Sequence, residues 1–77
     1  MGLHARPASM MAELVRKFSA KVTIHYAGNA VAANSVLGIL TLAAEPGSEL
    51  IFHADGEDAE EVLDALEELF NDRFGED

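Results

Sequence analysis

Apolar residues recur at helical spacing near both ends of this chain and at strand spacing between them. Met10, Met11, Leu14, Val15 and Phe18 follow the i, i+3, i+4 rhythm that puts side chains on one helix face, so Ala5 to about Phe18 reads as a helix. From Lys21 to Ala27 the period drops to two, with Val22, Ile24 and Tyr26 on one face and Thr23 and His25 on the other. Such a strand is half-buried, and its apolar face needs a cover that the helices can supply.

The remaining segments extend the pattern. Gly28-Asn29 reads as a turn and Ala30–Ala33 as a short second strand. Ser35 is a candidate N-cap for a helix over Val36–Ala43, ended by the loop Glu45-Pro46-Gly47-Ser48. Glu49–Ala54 reads as a strand, with Leu50 and Phe52 facing opposite to Ile51 and His53. Asp55-Gly56 turns the chain. Asp58 followed three residues later by Glu61 has the pattern of a capping box. A final helix to about Phe74 carries Val62, Leu63, Leu66, Leu69, Phe70 and Phe74 as its expected buried stripe. The order helix, strand, strand, helix, strand, helix predicts an α+β fold, an antiparallel sheet with three helices on one face, in a single domain spanning 1–77.

Charge is distributed unevenly. Residues 1–44 carry Arg6, Arg16, Lys17 and Lys21 against Glu13 alone, whereas thirteen acidic residues lie from Glu45 onward, against Arg73. A net charge of −9 argues against nucleic-acid binding, which needs a basic surface. The basic rim suits an acidic protein partner, with Arg16 as a candidate docking residue. No apolar run reaches the roughly 20 residues that span a bilayer, and no signal peptide is visible. The chain has no cysteine, which agrees with a cytoplasmic setting. His25 and His53 lack helical metal-site spacing, so no metal and no cofactor is expected.

The segment Gly2-Leu3-His4-Ala5-Arg6-Pro7-Ala8 sets a histidine immediately before a helix start. An imidazole is a nitrogen nucleophile that is mostly neutral near pH 7. The first turn of a helix presents unpaired N–H groups and the positive end of the dipole, and Arg6 adds a planar fork for two phosphate oxygens. Pro7 costs nothing there, because its missing N–H has no intrahelical partner to lose. His4 is therefore the candidate phosphoryl acceptor, Arg6 the clamp, and the Ala5 and Arg6 amides the backbone donors.

This seven-residue segment resembles the phosphorylation-site signature of HPr, the histidine phosphocarrier of the bacterial phosphotransferase system. Ala33-Asn34-Ser35-Val36-Leu37-Gly38-Ile39-Leu40 resembles that family's regulatory serine and following helix, and Ala54-Asp55-Gly56-Glu57-Asp58-Ala59 its turn before the last helix. The resemblance implies an open-faced β-sandwich. It also implies a stoichiometric carrier, not an enzyme, that receives a phosphoryl group on His4 from phosphorylated enzyme I and donates it to an enzyme IIA domain. By the same resemblance, HPr kinase would modify Ser35, and Val36, Leu37 and Leu40 would form an apolar docking patch, with Leu37 its expected exposed member. Glu13 and Asn34 stand where many relatives carry basic residues. The sugar branch and the nitrogen branch (NPr) both remain open.

The family has one more strand, before the histidine loop, which pairs with the segment matching Glu49–Ala54. That strand is missing from these 77 residues, so an exposed sheet edge and a partly uncovered core face are expected. A longer natural protein, a strand supplied by a partner copy, and a short sheet that suffices are the explanations, the first being favoured. The rival function is a regulatory binding module acting through the Ser35 helix surface without carrying phosphoryl groups.

Overall fold

A computed structural model describes residues 5–42 and 49–72. Six elements follow one another: α1 (Ala5–Arg16), β1 (Lys21–Tyr26), β2 (Asn29–Ala32), α2 (Val36–Thr41), β3 (Ile51–Asp55) and α3 (Ala59–Asn71). The sheet is antiparallel in the order β2-β1-β3. The alternation in β1 sends Val22 and Ile24 into the core and leaves Lys21 and His25 exposed. All three helices contribute to that same core, which gathers Met11, Val15, Ile39, Val62 and Leu66 around Val22 and Ile24. This is the expected open-faced arrangement. Burying one such aliphatic side chain contributes roughly 1.5–3 kcal/mol.

Two small residues complete the inner face of α1. Ala8 and Ala12 are fully buried beside Met11, and their short side chains let α1 lie close to its neighbours. On α3, Val62 and Leu66 are buried and Leu69 and Phe70 pack against the core, but Leu63 is 36% exposed. Leu63 therefore departs from the expected stripe. Phe70 meets Phe52 of β3 edge-on, with ring centroids 5.7 Å apart and planes at 75°, a favoured aromatic geometry.

The β1–β2 turn lies one residue earlier than expected. Tyr26 pairs with Asn29, so Ala27 and Gly28 are the two central residues, with φ of 51° and 83°. A two-residue hairpin of this kind needs positive φ at both positions, and the strand twist selects it. Gly28 adopts that conformation without strain, whereas alanine at Ala27 does not. Ala27→Asn is expected to stabilise the protein by about 0.5–1 kcal/mol, read as a higher urea midpoint at unchanged slope.

The capping box is not formed. The Asp58 side chain makes no hydrogen bond to the start of α3. Instead its two carboxylate oxygens accept from the Ser19 and Ala20 amides, at 2.8 and 2.7 Å. The loop leaving α1 has backbone donors that need partners, and a carboxylate can take two at once, which makes this long-range use stronger than a local cap. Removing the carboxylate in Asp58→Ala is expected to cost about 2–3 kcal/mol, measurable by chemical denaturation.

Among the described residues β3 stands at one edge of the sheet. Beside it, Leu50, Phe52, Leu63, Leu66 and Phe70 line a groove open to solvent.

Candidate functional site

The site is organised by the beginning of α1. Ala5 is the first helical residue and Arg6 the second, so Pro7 falls in the first turn, where it removes a donor the helix does not use. No acidic residue occupies that turn, so none of its own side chains offsets the positive end of the dipole. Pro7 and Ala8 are buried, anchoring the turn, while Arg6 is exposed. His4 lies outside the described residues, as does the side chain of Ala5.

The second candidate region is the corner between β2 and α2. Ser35 has extended backbone (φ −113°, ψ 112°) and caps α2, its Oγ accepting from the Gly38 amide at 3.0 Å. The Ser35 carbonyl accepts from Ile39, and its amide donates to Ala32, so the residue is held on both sides. Gly38 matters here through what it lacks. A Cβ at that position would stand 3.3 Å from Ser35 Oγ and 3.5 Å from the Val31 Cβ.

Arg16, at the opposite end of α1 from Ala5, reaches this second region. Its Nε and Nη2 both donate to the Asn34 carbonyl, at 3.0 and 2.7 Å. The last turn of α1 is thereby fastened to the residue just before Ser35. The role of the Asn34 carbonyl could not be read from residue type, because any residue presents one.

On α2 the apolar residues divide by direction. Ile39 is fully buried, Val36 and Leu40 are half-buried against the core, and Leu37 is 74% exposed. An exposed leucine flanked by two half-buried aliphatic residues is a compact contact patch. His25 and His53 are exposed on the sheet face opposite the helices, where His53 pairs with Thr23 and His25 with Ile51. Among the described residues no cluster of three or more His, Cys, Asp or Glu could hold a metal ion. Nor, among them, is any helix long and apolar enough to cross a membrane.

An open-faced sandwich whose first helix begins Ala5-Arg6-Pro7, directly after a histidine in sequence, has the features that suit a small phosphoryl carrier. Comparison with known proteins places the chain more closely. Residues 1–72 match the family described as the PTS HPr component phosphorylation site. The phosphocarrier protein HPr of Xylella fastidiosa (strain Temecula1 / ATCC 700964) is 39% identical over 77 residues, 100% of this chain and 86% of that protein. HPr of Cupriavidus necator is 40% identical over 76 residues, 99% of this chain and 85% of that protein. The crystal structure of HPr-C-His from Thermoanaerobacter tengcongensis superposes with a TM-score of 0.94 at 36% identity, covering 100% of this chain and 86% of that one. The chain belongs to the HPr family, the phosphocarriers of the phosphotransferase system, which are not themselves catalytic enzymes.

Proposed function

We propose that His4 is the phosphoryl acceptor and that this carrier moves the group from enzyme I to an enzyme IIA domain in the cytoplasm. The observation that carries the reading is the start of α1 at Ala5, immediately after His4, with Arg6 exposed in a first turn free of carboxylates. The imidazole Nδ1 attacks phosphorus, a new N–P bond forms, and the bond to the donor's nitrogen breaks with its electron pair remaining on the donor. Arg6 and the first-turn amides stabilise the charge on the transferring oxygens. A carrier must hold the group without binding it too tightly, because the next step removes it. An open helix start meets that requirement better than an enclosed cage.

Arg16, Val36, Leu37 and Leu40 form the docking surface in this reading, and Ser35 is a regulatory modification site for an HPr kinase. Leu37→Glu tests the surface. It is expected to leave stability within about 0.5 kcal/mol, since the side chain is largely exposed, and to weaken partner binding by about tenfold or more.

The deciding experiment is intact-mass spectrometry at alkaline pH after incubation with phosphoenolpyruvate and enzyme I. One acid-labile phosphoryl group per chain is the expected gain. A folded protein that gains none from either the sugar or the nitrogen enzyme I would overturn the assignment and favour the binding-module alternative.

A further inference from the structure

We propose that Arg16 is an internal receptor for a phosphate on Ser35, and that phosphorylation withdraws this cation from the docking rim. The inference rests on the reading of Ser35 as a modification site. Its geometric basis is the double hydrogen bond that holds the Arg16 guanidinium on the Asn34 carbonyl, one peptide unit before Ser35. That contact engages two of the five donors a guanidinium possesses.

The surroundings point the same way. Arg16, Ser19, Lys21 and Asn34 share a shallow hollow between the end of α1 and the adjoining ends of β1 and β2. Its lining holds the cations Arg16 and Lys21, and the Asp58 carboxylate at its border is engaged by the Ser19 and Ala20 amides. A phosphate on Ser35 would stand one residue beyond the Asn34 carbonyl that Arg16 already holds. α2 offers little competition. It has six residues, too short for a substantial dipole, and the Gly38 amide is already bonded to Ser35 Oγ. Gly38 also leaves the space beside that oxygen unfilled by a methyl group.

A phosphate is a stronger acceptor for a guanidinium than a neutral carbonyl is, because both partners carry charge. Arg16 therefore exchanges, wholly or in part, the Asn34 carbonyl for the phosphate. The surface gains about two negative charges from the group and loses the outward reach of one positive charge. Both changes disfavour an acidic docking partner, so one modification acts twice on the same face.

The test uses phosphoserine installed genetically at position 35, followed by ³¹P NMR titration at low salt. A neighbouring cation favours the dianion and lowers the second ionisation of the phosphate. In the protein with Arg16, that ionisation is expected roughly 0.5–1 pH unit below its position in Arg16→Gln, with Arg16→Lys between them. The Arg16 Nε–Hε resonance of the otherwise unaltered protein should move with the same titration, a readout that needs no variant. Superimposable phosphate curves, or an Nε–Hε resonance indifferent to the phosphate, would overturn the proposal. Because no kinase is used, this outcome is independent of whether Ser35 is phosphorylated in cells. Failure of an HPr kinase to modify the unphosphorylated protein would instead count against the reading of Ser35.

Discussion

Replacing His4 with alanine is expected to abolish phosphoryl acceptance entirely while leaving the melting curve in place. α1 begins at the next residue, and its anchoring comes from Pro7, Ala8, Met11 and Ala12, all buried. In the proposed assignment the imidazole supplies the bond-forming nitrogen, and the substitution touches none of these buried anchors. Arg6→Ala should behave differently. The acceptor remains, so the phosphorylated state still forms, but the loss of a charged stabiliser of the transferring group slows it by about 10²–10³-fold. Arg6→Lys keeps the charge without the fork and should fall between them. Time courses of intact mass after mixing with phosphorylated enzyme I separate these cases. An Arg6→Ala protein as fast as the parent would remove Arg6 from the site.

The largest effect on stability is expected from Gly56→Ala. Gly56 has φ of +147°, a conformation that residues with a Cβ rarely adopt, so the backbone is strained before any contact is considered. The added carbon would also lie 2.7 Å from Ala20 Cα and 3.1 Å from Ala20 Cβ. Backbone, unlike a flexible side-chain end, cannot step aside, and Ala20 is itself buried and held through its amide by Asp58. Strain and overpacking together cost about 2–5 kcal/mol. For a domain this small, each kcal/mol lowers the melting temperature by about 4–8 °C. Calorimetry should therefore record a fall of at least about 10 °C. Gly28→Ala is the matched control. Its φ is also positive, at +83°, but nothing lies within 4 Å of the added carbon, so it loses the conformational share alone. Equal effects at the two glycines would mean that the contact with Ala20 contributes nothing.

These cases show where sequence reasoning reached its limit. β1 was legible because one face of the strand is buried, which forces the alternation of Val22 and Ile24 with Thr23 and His25. The beginning of α1 was legible because Arg6 and Pro7 have local physical meanings. Asp58 was misread because Asp-x-x-Glu describes a local motif, whereas the amides it serves lie 38 and 39 residues away in sequence. The hairpin turn moved by one residue because cross-strand pairing of Tyr26 with Asn29 outweighed the poor fit of alanine at position 27. Leu63 was placed in the buried stripe by periodicity alone, but it borders the open groove beside β3, and periodicity carries no information about which side of a helix finds a neighbour.

The outward edge of β3 also governs how molecules of this protein behave toward one another. Among the described residues it meets no further strand, and Ile51 is 61% exposed near its start. An unpaired strand edge is a template for cross-β stacking between molecules. Glu49 before it and Asp55 at its end act as electrostatic gatekeepers, since another copy approaching in the same way would bring like charges together. The abundance of carboxylates in the second half of the chain therefore has a colloidal meaning: ionised, it keeps neighbouring molecules apart, and neutralised in acid, it leaves the same edge open to self-association.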